Sequence, residues 1–359
     1  MGDGAAPKAP DMTPHSPLQP ASPRLLTSML DHLVVPGLAR FTRFGYRCQG
    51  LDQAPVRESL AGRTVVLTGA TAGLGRAAAR QLAALGARLV LVGRDPARLA
   101  AVGDEIAREV GDAEVSLETA DLSLSGDTMA LAHRLLARET PVHVLVNNAA
   151  VLEPQRRTTR EGLEVSLATN LLSPYPLTTA LLPRPRASAP SRIVNVVSGG
   201  MYLAGLGPEV FEPSDAWDGA KAYARQKRAL MVLTEHWARA LAADGIAVNA
   251  MHPGWAETPG VARSLPLFLR LTRPVLRTPE EGADTIVWLA ASQAAGARTG
   301  GLWLDREAHP AAVFPGTSGT PAERAWLLDQ LARLAASVAP PASPEGERRR
   351  RPIRRATRN

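Results

Sequence analysis

The chain of 359 residues is 45% hydrophobic, enough for one large core or two small ones, and holds no apolar run long enough to cross a membrane as a helix. A single cysteine, Cys48, excludes an internal disulfide and suggests a reducing, cytoplasmic setting, and the seven scattered histidines give no expectation of a metal site. The net charge of +7 is concentrated in residues 345–359, where seven arginines and two glutamates give +5, so the body is nearly balanced and any polyanion contact falls to the tail.

Residues 1–23 are rich in Pro, Ala and Ser and are expected to be disordered, with no apolar block to mark a secretory signal. Residues 24–60 read as a helical extension. Leu25, Leu26, Met29, Leu30, Leu33, Val34, Leu38 and Phe41 recur mostly at helical spacing, interrupted at Pro36-Gly37. Such a segment docks either on the body or on a membrane surface. Across residues 61–338 short apolar strands at 64–68, 88–92, 114–118, 143–147, 192–197, 246–251 and 300–304 alternate with helices. This pattern predicts an α/β fold, a single doubly wound parallel sheet of about seven strands with helices on both faces. An amphipathic helix over 321–335 closes the domain. Residues 339–359 read as a disordered Arg-rich tail, either a solvated appendage or a weak contact for nucleic acid or anionic lipid.

Between the first strand and an Ala-rich helix lies TGATAGLG, Thr68 to Gly75. A strand, a Gly-rich turn and a helix N-terminus make an anion cradle, because glycine admits close backbone approach and the helix end presents free N–H groups. Gly69, Gly73 and Gly75 space as G-x-x-x-G-x-G, which is neither the usual dinucleotide fingerprint nor a nucleotide-hydrolase loop. With Thr71, Ala72 and Leu74 they form the candidate pyrophosphate site. The second strand ends in Val92-Gly93-Arg94-Asp95. A carboxylate at the strand end would grip a ribose 2′-hydroxyl. Gly93 followed by Arg94 instead favours a 2′-phosphate, and hence NADP(H) over NAD(H); the other reading of Arg94 is a turn cap. Asp121 and Leu122 follow the third strand and border the adenine in this arrangement. The fourth strand ends in Asn147-Asn148-Ala149-Ala150, small residues that admit a flat ring and asparagines able to tie strand ends together.

Ser198 ends the fifth strand, at the edge where parallel sheets bind ligands; its hydroxyl either bonds a reacting oxygen or closes a turn. Tyr223 and Lys227, in YARQK, share one helix face. An ammonium beside a phenol favours phenolate and lowers the Tyr pKa, which suits Tyr223 to exchange a proton with a carbonyl or alcohol oxygen. The sixth strand leads into MHPGWAET, with Pro253 and Gly254 at the same edge and Thr258 just beyond. Residues 263–277 lie where a lid would be. Leu265, Leu267, Phe268, Leu269, Leu271 and Val275 there either wall an apolar pocket or pack on the core.

Taken in order, T-G-x-x-x-G-x-G, N-N-A, Asn170, Ser198, Y-x-x-x-K and P-G resemble the short-chain dehydrogenase/reductase family over about residues 63–305. The resemblance implies a Rossmann-type domain holding both cofactor and substrate, and NAD(P)-dependent chemistry on a CH–OH or C=O group. It implies that Ser198 orients the substrate oxygen and Tyr223 donates or takes its proton. Lys227 would bond the nicotinamide ribose and lower the Tyr223 pKa. Asn170, in LATNLLSPY, would hold a water linking Lys227 to solvent, and Thr258 would contact the nicotinamide amide. Ala150 stands where many relatives have Gly. Ser198 and Tyr223 lie further apart than in many relatives, so residues 199–220 must loop out and wall the pocket. Pro174 and Pro176 follow Asn170 inside a helix. Pro174 lacks the N–H that would bond the carbonyl of residue 170, so either that carbonyl is free for the relay water or the helix ends near Ser173. The expected substrate is a lipophilic ketone, aldehyde or secondary alcohol, and the expected location is cytoplasmic or peripheral to a membrane. The competing class is a non-catalytic NADP(H)-binding sensor or scaffold. The complete Ser198–Tyr223–Lys227 set argues against it, since a pure binder needs no activated phenol.

Overall fold

Apolar runs without polar alternation suit strands covered on both faces. Thr64–Thr68, reading TVVLT, is such a run: it forms β1, and all five residues are buried. The computed structural model describes residues 40–212, 216–264 and 266–338. The expected disordered segments and residues 24–39 of the extension lie outside these. The other strands are β2 (Arg88–Gly93), β3 (Val115–Thr119), β4 (Val144–Asn147), β5 (Ser191–Val196), β6 (Ile246–Met251), β7 (Leu302–Leu304) and β8 (Glu307–His309). They form one sheet in the order β3-β2-β1-β4-β5-β6-β7-β8, parallel except for β8. The strand order reverses between β1 and β4. In such sheets the crevice for a ligand opens there, outside the carboxyl ends of the strands.

Successive side chains of a strand face opposite ways, so the sheet has two cores. Val66, Ile193 and Val248 share one core with Leu131 and Leu135 of α4 (Ser125–Ala137), Leu177 of α5 (Pro174–Leu181), Leu230 and Leu233 of α6 (Gly219–Ala240), and Leu327 and Leu331 of α8 (Pro321–Val338). Val65, Leu67 and Val194 share the other with Ala78 and Leu82 of α2 (Gly73–Ala84), Leu99 and Ile106 of α3 (Pro96–Val110), and Ile286 of α7 (Pro279–Ala291). The sheet is therefore doubly wound. No helix of the described residues is long and apolar enough to cross a membrane.

The eighth strand is one more than the sequence led us to expect. It is three residues long and turns back through Asp305-Arg306, whose φ angles are 53° and 62°. Two-residue hairpins need this left-handed backbone, and Asn-Gly or Asp-Gly usually supply it. Here ion pairs hold it instead: Arg277 bonds the Asp305 carboxylate at 2.8 Å, and Arg306 bonds Asp284 at 2.8 Å.

The prolines after Asn170 do not end the helix. Ala168–Leu172 forms a π turn, in which the Ser173 N–H bonds the Ala168 carbonyl at 2.8 Å, and α5 then starts at Pro174. In that wider register the N–H of residue 174 would reach the Thr169 carbonyl. The Ser173 hydroxyl donates to it instead, at 3.0 Å. Proline is then a first-turn residue, where its missing N–H is tolerated.

The described part of the extension, α1 (Arg43–Cys48) with the residues before it, lies on the carboxyl edge of the sheet. Arg277 is buried and donates to the carbonyls of Arg40 and Thr42 as well as to Asp305. Its guanidinium also lies over the Tyr46 ring, 5.4 Å from the centroid. We predict that Arg277→Ala, which leaves the Asp305 charge buried alone, destabilises the fold by about 3–5 kcal/mol. Arg306→Ala removes the less enclosed pair with Asp284 and should cost less. Urea midpoints measure both, and an unchanged midpoint in Arg277→Ala would contradict the role given to the pair.

Candidate active site

Two turns from neighbouring strands form the floor of the cleft. The Thr68 hydroxyl donates to the Val146 carbonyl and accepts the N–H groups of Asn148 and Ala149, each at 3.0 Å. The Asn148 amide donates back to the carbonyls of Thr68 and Gly69, at 2.8 and 3.2 Å. The loops are so close that a methyl on Gly69 would lie 2.7 Å from the Ala149 Cα, and one on Gly75 would lie 2.1 Å from the Gly69 carbonyl oxygen. Two of the three motif glycines thus make room for the protein's own backbone. What faces outward is the N-terminus of α2, where Ala72 offers no capping side chain, leaving first-turn N–H groups for an anion.

A cleft of about 630 Å³ runs from this cradle along the carboxyl edge. Gly69, Thr71, Ala72, Gly73, Leu74 and Gly75 line one stretch of it, and Arg94, Asp121 and Leu122 line the end over β2 and β3. Asn148, Ala149, Ser198, Tyr223, Lys227, Pro253, Gly254 and Thr258 line the rest. Thr258 leans toward the cradle, its Cγ2 3.3 Å from where a Gly73 methyl would sit. At the β2 end Asp95, not Arg94, caps the following helix, accepting the N–H groups of Ala97 and Arg98. Arg94 is exposed on the cleft. Gly93 has no room for a side chain, since a methyl would meet Thr71 at 2.8 Å. Arg98 also lines this end, a second cation missing from the sequence argument because its place depends on the helix turn.

Ser198, Tyr223 and Lys227 meet beyond the end of β5. The Ser198 hydroxyl accepts the Gly200 N–H at 3.3 Å and lies beside the Tyr223 phenol. The Lys227 amine is buried and donates to the Val196 carbonyl at 2.7 Å, lying 5.6 Å from the centroid of the Tyr223 ring. The electrostatics differ from the expectation that an ammonium lowers the phenol. Burial pushes Tyr223 up to about 12, with the neighbouring Ser198 hydroxyl as the opposing influence. Burial also pushes Lys227 down to about 7, because a charged amine is disfavoured away from water. The spacing was right but the desolvation of the lysine itself was invisible in it.

Asn170 does not line the cleft. Its amide donates to the Val151 carbonyl and the Gln226 side chain, each at 2.8 Å, and its oxygen accepts the Val151 N–H at 2.7 Å. The side chain is thus spent on holding the turn after β4 against α6. Gln226, buried beside Lys227, was missed because only a helix contact reveals it. The segment after Ser198 does leave the sheet: short 3-10 turns at Gly199–Leu203 and Pro208–Val210 precede α6, and Gly199, Gly200 and Ala220 line the cleft. The lid expectation fares differently. Leu267, Leu271 and Val275 are 68%, 73% and 39% exposed and do not line the cleft, Leu269 is half-buried, and the side chains of Leu265 and Phe268 lie outside the described residues. Val151, Leu152, Ala224 and Trp255 supply the apolar wall instead.

The residues present fit a dinucleotide: an open helix N-terminus at the middle of the cleft, a cation at one end and a hydroxyl–amine set at the other. A family model described as short chain dehydrogenase matches residues 63–266. Dehydrogenase/reductase SDR family member 12 of Bos taurus is 38% identical over 306 residues, covering 83% of this chain and 95% of that protein. Retinol dehydrogenase 12 of Homo sapiens is 33% identical over 273 residues, covering 75% and 84%. Among solved structures, the Pseudomonas aeruginosa RhlG/NADP active-site complex superposes with a TM-score of 0.56 at 27% identity, covering 68% of this chain and 94% of that one. The chain belongs to the short-chain dehydrogenase/reductase family, the NAD(P)-dependent oxidoreductases of this fold.

Proposed function

We propose that the protein uses NADP(H) to interconvert a lipophilic carbonyl compound and its alcohol, with Tyr223 as the proton-transferring group. The observation that carries this reading is the meeting of Ser198, Tyr223 and Lys227 at the end of β5, in the same cleft as the glycine cradle. When bound, the nicotinamide gives or accepts the hydride. Ser198 holds the substrate oxygen beside the Tyr223 hydroxyl, which passes its proton to that oxygen during reduction. Lys227, titrating near neutrality, can take up and return a proton where an ordinary lysine would stay charged. The cradle from Gly69 to Gly75 holds the pyrophosphate, Pro253, Gly254 and Thr258 flank the nicotinamide, and Asn148, Ala149, Asp121 and Leu122 border the rest. Asn170 acts at one remove, through Val151 and Gln226. The lipophilic substrate follows from the apolar wall. Asp95 and Asp121 are the acids lining the cleft, and both lie at its β2–β3 end.

The test is NADPH oxidation with a panel of carbonyl compounds. Tyr223→Phe keeps the ring and should bind NADPH normally, while turnover falls by about 10²-fold or more. Near-normal turnover in that variant would remove Tyr223 from the mechanism, and a non-catalytic scaffold predicts no turnover in either protein. For the cofactor, the exposed Arg94 and the engaged Asp95 favour the 2′-phosphate. Arg94→Ala should weaken NADPH binding by about ten- to a hundredfold and leave NADH binding unchanged. Equal affinities for the two cofactors in the unaltered protein would reject the preference.

A further inference from the structure

Two turns carry the reacting end of the cleft, one bearing Ser198 and one running from His252 to Trp255. Both press on a single side chain outside the family motifs, Phe41. A methyl on Gly199 would lie 2.6 Å from the Phe41 Cε1, so the residue after Ser198 leaves room only for hydrogen where the ring rests. On the second turn Gly254 has φ of 68°, and a methyl there would lie 2.7 Å from the Phe41 carbonyl oxygen. The Trp255 N–H donates to that same oxygen at 2.7 Å. The Phe41 ring stacks on His252 at 4.9 Å between centroids and tilts against Trp255 at 6.1 Å. The His252 ring is buried, accepts the Gly254 N–H at Nδ1 at 3.3 Å, and has no hydrogen-bond partner at Nε2 among the described residues. Stacking on Phe41, with the edge contact of Tyr202 at 6.0 Å between centroids, therefore restrains its ring.

The clamp on Phe41 is itself rigid. Arg277 donates to the carbonyls on either side of it, those of Arg40 and Thr42, and bonds the Trp255 carbonyl through its own N–H at 2.8 Å. Gly199, Gly254 and Trp255 all line the cleft, so a shift of Phe41 is passed to the site through two contacts at once. We propose that Phe41 is a positioning residue that sets the Ser198 turn relative to the His252–Trp255 turn, and so fixes the angle at which a substrate carbonyl meets Ser198 and Tyr223. The kinetic half of this proposal rests on the oxidoreductase function proposed above; the structural half does not.

The test compares Phe41→Ala, Phe41→Leu, Gly199→Ala and the double variant Phe41→Ala/Gly199→Ala, with amide hydrogen exchange, NADPH affinity and kcat/KM as readouts. In Phe41→Ala, exchange at residues 199–203 and 254–257 should speed up by about tenfold or more while residues 69–75 keep their protection. NADPH affinity should fall by only a few-fold, since Gly254 flanks the nicotinamide but the 69–75 cradle keeps its grip, and kcat/KM should fall further, by about tenfold or more, since small misplacements of reacting groups are costly. Phe41→Leu, which keeps apolar bulk, should recover most of both losses. Gly199→Ala should impair the same turns, and removing the ring in the double variant should relieve part of that damage rather than add to it. Unchanged exchange at both turns, exchange rising equally across the whole sheet, or additive losses in the double variant would each overturn the proposal. If no carbonyl is turned over by the unaltered protein, the proposed function fails, and exchange in the single and double variants still decides where Phe41 acts.

Discussion

A lysine amine enclosed by protein, held by the Val196 carbonyl and facing the Tyr223 ring, is the constraint on which the active-site cleft depends. Burying a cation is unfavourable, and the amine answers by titrating near 7 instead of 10.5. Because the unfolded chain then holds more protons than the folded one between those values, stability rises with pH through that window, and the full penalty applies below it. The two-sided core of the sheet has to offset this. What the fold gains is an amine able to change charge at neutral pH, one helical turn from a phenol whose own proton burial makes hard to lose.

Holding those groups in place falls to polar side chains that bridge the strand ends. Asn147 reaches Asn195 at 2.8 Å and Thr178 at 3.1 Å, and Asn195 reaches Thr234 on α6 at 2.9 Å. With Thr68 and Asn148 this ties the ends of β1, β4 and β5 to the helix that carries Tyr223 and Lys227. Buried and satisfied, such a network fixes the relative height of strands that hydrophobic packing alone would hold less exactingly.

Much of this was legible in the chain. Short apolar runs at regular intervals marked the seven parallel strands, and Tyr223 and Lys227 at helical spacing placed both groups on one face. Other features depended on neighbours distant in sequence. Gly75 reads as room for a ligand, yet the nearest obstacle to a side chain there is the Gly69 carbonyl. The β7–β8 hairpin lacks turn glycines because Arg277 and Asp284 hold its two residues in a left-handed conformation. The leucines of residues 263–277 look like a pocket wall, but the short helices Pro259–Ser264 and Pro266–Thr272 leave Leu267 and Leu271 in solvent. Phe41 looked like the end of an amphipathic stripe, and only the close approach of Gly199 and Gly254 reveals its seat.

Among the described residues Lys227 is buried with no carboxylate beside it, which places its change of charge near neutrality. Site-resolved titration of its side-chain amine by NMR, with Lys227→Met used for assignment, tests this directly. A midpoint near 7 is expected in the protein without cofactor, and a midpoint near the ordinary 10.5 would contradict both the burial and the proton-handling role assigned to Lys227.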